Sequence, residues 1–129
     1  MSESAESANR FVQELSALAG RLARLDIAVS SLHCDWASFG SWKLEVQNGR
    51  AAGTYAKALL ASEWDTPGPE VIRIYWDGRE RVLTIENAPT PPLSSPGPWT
   101  RQTEQAFGES ETAVRFVEEY LQRWIHSAP

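Results

Sequence analysis

The strongest constraint on the fold comes from residues 71–86, where apolar and polar residues alternate on both sides of Asp77-Gly78. A period of two is typical of strands with one buried face, and Asp-Gly is a favoured two-residue hairpin turn. Pairing across this turn would join Trp76 to Arg79, Ile74 to Arg81 and Ile72 to Leu83. The face expected to enter the core consists of Ile72, Ile74, Trp76, Leu83 and Ile85.

Amphipathic helical patterns lie near both ends of the chain. Residues 8–25 carry a narrow apolar stripe at spacings of three and four, and residues 111–126 carry a broader stripe behind a candidate N-cap, Ser110. Residues 1–8 are small and acidic, and we expect them to form a disordered tail. The two helices are expected to cover the apolar face of the hairpin.

The middle of the chain leaves one alternative open. Strands are expected over residues 27–34 and 42–46. Asn48-Gly49 favours another tight hairpin, whereas the Ala, Leu and Lys content of residues 51–64 favours a helix. We prefer a short helix over residues 55–63. Residues 87–98 hold five of the eight prolines and are expected to form a loop before an edge strand at 99–107.

Together these segments predict a single α+β domain over residues 1–129. It would have an antiparallel sheet of about four or five strands, two terminal helices packed on it and, in the preferred interpretation, a short middle helix. With 129 residues, the chain is long enough to bury a core without a disulfide or a metal.

Composition narrows the classes of function. The net charge of −5 disfavours binding to nucleic acid or to an anionic membrane, since both reward a basic surface. Cys34 is the one cysteine, so no intramolecular disulfide forms. The first ten residues lack a basic segment followed by an apolar stretch, and no apolar run approaches the ~18 residues of a membrane span. We therefore expect no secretory signal and a cytoplasmic location.

Catalytic and metal-binding groups are sparse. His33, Cys34 and Asp35 are adjacent, but neighbouring side chains on a strand point to opposite faces, so His33 would not readily deprotonate Cys34. The two histidines and one cysteine lack the spacing of a metal site, and no glycine-rich nucleotide motif occurs. We expect neither cofactor nor metal.

The richest candidates for binding are aromatic and basic residues. Of six tryptophans, Trp42, Trp76 and Trp124 fall on core faces by periodicity. The remaining tryptophans lie at element ends or in loops, where they would either cap the core or line a contact surface. Arginines near the hairpin would either bind a partner or belong to a solvated face of mixed charge. The candidate binding residues are Trp36, Trp64, Trp99, Arg73, Arg79 and Arg81.

The order helix, strands, short helix, strands, helix in a small acidic chain resembles in outline the dimeric chaperones of type III secretion and small bacterial immunity proteins. The acidic charge, the many tryptophans and arginines and the lack of a catalytic set favour a non-catalytic protein-binding function, with another protein or a second copy as partner. The narrow stripe of the first helix is a candidate dimer seam. One alternative is a small-molecule binder with a cavity between the C-terminal helix and the sheet. Another is an enzyme using His33, Asp35 or Cys34.

Overall fold

The computed structural model describes residues 2–127, which form three helices and one five-stranded antiparallel sheet. In chain order the elements are α1 (Ser2–Arg24), β1 (Ile27–Asp35), β2 (Ser41–Asn48), α2 (Gly49–Leu60), β3 (Gly68–Asp77), β4 (Val82–Thr90), β5 (Thr100–Ala106) and α3 (Ser110–Ser127). Each strand pairs with its neighbour in sequence, in the order β1-β2-β3-β4-β5. The predicted α+β fold, with a helix at each end and one in the middle, is confirmed.

One face of the sheet forms the core with α1 and α3. The hairpin residues expected on this face are all buried, and Leu18 and Leu22 of α1 and Leu121 of α3 pack against them with at most 1% of their surface exposed. Each such side chain stabilises the fold by roughly 1.5–3 kcal/mol. The middle of the α1 stripe, Leu15, Leu18 and Leu22, is therefore taken up by the core of its own chain.

The predicted pairing of the central hairpin was wrong. Trp76 pairs with Leu83 rather than Arg79, and a loop of four residues, 78–81, separates β3 from β4. The Asp77 Oδ1 atom accepts hydrogen bonds from the amides of residues 79 and 80, at 3.0 and 3.2 Å, and these bonds hold the wider loop. The partner of Ile74 moves four positions, from Arg81 to Ile85. An even shift preserves the side-chain faces, which is why the predicted core face is correct.

Asn48-Gly49 begins a helix instead of a hairpin. The Asn48 Oδ1 atom accepts hydrogen bonds from the amides of Arg50 and Ala51, at 2.9 and 3.2 Å, and so caps α2. The Gly49 amide donates to the Asp26 carbonyl at 2.8 Å, and a Cβ at Gly49 would lie 2.7 Å from that oxygen. A middle helix is present as preferred, but it begins at Gly49 and ends at Leu60 rather than covering residues 55–63.

Two other boundaries differ from expectation. Helix α1 begins at Ser2, so residues 2–8 extend the helix instead of forming a disordered tail. They contain alanine and glutamate and no glycine or proline, so the helix can extend through them despite three serines. Strand β4 continues to Thr90, which shortens the predicted proline-rich loop of residues 87–98. Pairing with β5 ends at Asn87, so Pro89 lies where β4 has become an edge strand and tolerates proline.

Candidate functional site

The β1–β2 loop, the β3–β4 loop and the first turn of α3 meet at one end of the sheet. Together with part of α1 they enclose an open groove of about 580 Å³. Phe11, Trp36, Phe39 and Arg81 line it, and the exposed Arg79 lies beside the Phe39 ring. These five residues and the groove are called the end surface below.

The end surface carries two exposed aromatic rings close together. Trp36 is 47% exposed and Phe39 is 67% exposed, although both are large and apolar. The Phe11 ring supports Trp36 from behind, with 5.5 Å between the ring centroids. Apolar side chains grouped in this way on the surface of a folded domain are typical of an interaction site.

Hydrogen bonds fix the β1–β2 loop that carries these rings. The Asp35 carboxylate accepts from the Ser38 amide at 3.2 Å and from the Ser38 hydroxyl at 2.8 Å. The Ser41 hydroxyl donates to the Ser38 carbonyl at 2.6 Å and accepts from the Gly78 amide at 2.9 Å. Because Ser41 bonds to both loops, it holds them in one arrangement, and the rings are presented in a preorganised position.

Two of the five non-glycine residues with a positive φ in the described chain lie in these same loops. Phe39 has a φ of 60° and Arg81 a φ of 57°, a left-handed conformation that costs most non-glycine residues roughly 1–2 kcal/mol. Gly78 lies so close to the other loop that a Cβ there would collide with the Phe39 carbonyl oxygen. Strained residues that surrounding contacts hold in place cluster at functional sites.

The arginines of the end surface are available to a partner. The Arg79 guanidinium lies 5.7 Å from the Phe39 ring centroid, and the Arg81 Nη1 atom donates to the Gly108 carbonyl at 3.2 Å. Among the described side chains, neither Arg79 nor Arg81 forms an ion pair. Tryptophan and arginine are the residue types that most often dominate the binding energy of protein interfaces.

The face of the sheet opposite the core, called the outer face below, is different. Arg73 stacks on the Trp99 ring at 3.9 Å and its Nη2 atom lies 2.8 Å from the Glu86 carboxylate. The neighbouring cations also have acidic partners, Lys43 with Glu45 at 3.8 Å and Arg101 with Glu104 at 2.8 Å. This is a face of mixed, internally paired charge around a depression of about 330 Å³.

The structure thus divides the six predicted binding residues into three places. Trp36, Arg79 and Arg81 come together at the end surface, whereas Arg73 and Trp99 meet on the outer face. Trp64 is 51% exposed and follows α2, near the opposite end of the sheet from the β3–β4 loop. Sequence reasoning missed Phe39 and Gly78 as site residues, because the Phe39-Gly40 pattern indicates no more than a turn.

The residues of the enzyme alternative do not form a catalytic set. Cys34 packs against the core, and its burial raises the pKa of the thiol above 9.0, which opposes formation of a thiolate. His33 is exposed on the opposite face, and the Asp35 carboxylate is bonded to Ser38. Within residues 2–127, no group of three histidine, cysteine or carboxylate side chains is placed to hold a metal ion.

The space expected to hold a small molecule, between α3 and the sheet, is filled. Ala113, Val117 and Leu121 project into it and have no exposed surface, and they belong to the same packed cluster as Leu83 and Ile85. In the described part of the chain, no helix combines the length and the apolar character needed to cross a membrane.

Known proteins supply no further guide to this site. No protein-family model matches the chain, and neither curated proteins nor solved structures include a significant match to it. The function has to be inferred from the geometry of the end surface.

Proposed function

We propose that this chain is a non-catalytic protein-binding module and that the end surface is where it contacts its partner. The observation that carries the proposal is the exposure of Trp36 and Phe39 on a loop fixed by hydrogen bonds. A folded domain gains nothing in its own stability from holding large apolar rings in water, so their display points to burial against another surface.

The surrounding groups support the same proposal. Arg79 and Arg81 border the rings, and the groove beside them is large enough to receive side chains from a partner. Rings that need no reordering lose little conformational freedom on binding, which favours affinity. The cytoplasm is the proposed location, because the one cysteine is a free thiol, the state that a reducing compartment maintains.

Site-specific photo-crosslinking in the native host tests the proposal. A photoreactive amino acid at position 39 should give a discrete crosslinked protein band, and the same group at position 64 should not. Trp64 is the matched position because it is an exposed aromatic residue outside the end surface. Equal crosslinking at both positions, or none at position 39, would contradict the proposal.

The Trp36→Ala substitution supplies an independent measurement. It removes a half-exposed ring and should abolish the crosslink formed from position 39, while Trp64→Ala should leave that crosslink unchanged. Circular dichroism and thermal unfolding of both variants establish that the loss of crosslinking does not come from loss of the fold.

A further inference from the structure

We infer that the end surface binds a second copy of this chain, in a two-fold symmetric dimer in which Phe39 of each copy enters the groove of the other. This inference rests on the proposed function, and it identifies a second copy of the chain as the molecule that binds the end surface. Three features of the surface carry it: a protrusion and a cavity side by side, charges of both signs, and a fixed loop.

Shape is the first feature. Phe39 lines the groove of about 580 Å³, yet 67% of its surface stays exposed, so its ring is both part of the groove wall and free to contact another molecule. In a two-fold interface the same patch faces itself, so it must contain both the protruding group and the cavity that receives it. The end surface satisfies that requirement within a few residues, because the loop that carries Phe39 also forms one wall of the groove.

Charge is the second feature. The groove is lined by Arg10 and Arg81 on the basic side and by Glu14, Glu109 and Glu111 on the acidic side. A partner of one charge sign would meet repulsion at part of this lining. A second copy brings both signs and can place Arg79, which is carried next to Phe39, against Glu109 and Glu111 of the facing chain.

Preorganisation is the third feature. The loop that carries Phe39 is held by Asp35 and Ser41, so two copies can join without either having to order a segment. The other surface expected to dimerise, the apolar stripe of α1, has its middle residues Leu15, Leu18 and Leu22 buried in the core of its own chain. The end surface combines two exposed aromatic rings, a groove and arginines that form no ion pair among the described side chains.

Sedimentation equilibrium of the purified full chain tests this inference. The wild type should dimerise at or below about 100 µM. Phe39→Asn, which keeps a residue that tolerates the left-handed backbone, should raise the dissociation constant by about tenfold or more. Trp64→Ala should leave it unchanged. A wild-type monomer at about 100 µM, or equal weakening by both variants, would overturn the inference.

Charge reversal tests the proposed contact between Arg79 of one copy and Glu109 and Glu111 of the other. Arg79→Glu alone should weaken the dimer, and so should the double variant Glu109→Lys/Glu111→Lys. In a mixture of the two variants, each heterodimer contains both pairings of opposite charge, so dimerisation should return to near the wild-type level. Thermal unfolding confirms that each variant is folded. A mixture no tighter than either variant alone would overturn the proposed pairing.

The two experiments distinguish failure of the dimer inference from failure of the proposed protein-binding function. If the wild type is monomeric but position 39 crosslinks to a different protein in the host, the second copy is excluded and the protein-binding proposal stands. If the wild type is monomeric and position 39 gives no crosslink, both are overturned.

Discussion

The end surface and the outer face both combine arginine with aromatic side chains, yet they use them differently. On the outer face Arg73 is enclosed between the Trp99 ring and the Glu86 carboxylate. On the end surface Arg79 lies 5.7 Å from the centroid of the exposed Phe39 ring and pairs with none of the described carboxylates. The residue types alone did not separate the two places, since both sets were equal candidates for binding from the sequence.

The difference lies in whether the charges and rings are already satisfied. An arginine that has a carboxylate and a stacked ring within its own chain would have to break those contacts to bind a partner. An arginine whose N–H groups bond to solvent gives up only water molecules when it binds a partner. Exposed rings beside arginines of the second kind therefore identify a contact surface better than the number of either residue type does.

The largest effect is expected from Gly78→Ala, which attacks the end surface through its backbone. The added Cβ would collide with the Phe39 carbonyl oxygen and lie 2.8 Å from the Phe39 carbonyl carbon. Because these are backbone atoms, the loops must move apart, at a cost of about 3 kcal/mol in the free energy of unfolding. Urea denaturation measures this loss.

Gly20→Ala is the matched control for that measurement. Gly20 lies in α1, and a Cβ added there would meet no atom within 4 Å, so alanine should stabilise the helix by about 1 kcal/mol. If Gly78→Ala were as stable as the wild type, the two loops would not be locked together as described.

An intermediate effect is expected from Arg73→Ala on the outer face. The substitution leaves the Glu86 carboxylate, only 22% exposed, without its partner and should cost about 1.5 kcal/mol of stability. Arg101→Ala removes a pair in which both side chains are more than half exposed, so its effect should stay within about 0.5 kcal/mol. Chemical denaturation of the two variants measures both changes in the free energy of unfolding. Dimerisation should be unaffected by either variant, and weakening by Arg73→Ala would contradict the division between the two surfaces.

The smallest effect concerns Cys34, which lies on the core side of the sheet just before the β1–β2 loop. Burial raises its pKa above 9.0, so the unfolded state loses the thiol proton at lower pH than the folded state does. The resulting contribution to stability is present below pH 9.0 and is lost as pH rises through the pKa of the folded protein.

Paired urea denaturation at neutral and at strongly alkaline pH isolates that contribution. The wild type should lose more stability on going to alkaline pH than Cys34→Ala does, because other titrating groups affect both proteins equally. A larger loss in Cys34→Ala would show that the thiol is not buried as described.

Much of the fold follows from local pattern. Apolar periodicity identified the two terminal helices and the core face because burial depends on which residues share a face, but it did not place the start of α1. It could not place the hairpin register, since Asp77 caps a wider loop in the structure, whereas Asp-Gly suggested a tight turn. Apolar periodicity also could not decide the structure at Asn48-Gly49. The same two residues suit a tight hairpin turn and the start of a helix, and in the structure Asn48 caps a helix.

The site was less accessible to sequence reasoning. Trp36, Arg79 and Arg81 were proposed for binding, but nothing in their spacing indicated that the β1–β2 and β3–β4 loops meet. That meeting depends on Ser41, a small polar residue at the start of a strand, and on the absence of a side chain at Gly78. Contacts of this kind are long-range and leave no periodic signal in the chain.

The Ser41 hydroxyl that joins the two loops has a consequence for transplanting this surface. Hydrogen bonds within residues 35–41 supply part of the loop's shape, and residues 77–81 supply the rest, since Gly78 donates to Ser41 and packs on Phe39. A designer who moves the aromatic loop alone to another scaffold would move its sequence without its full geometry. The unit that can be grafted is the pair of loops, with the two strands, β2 and β3, that set their separation.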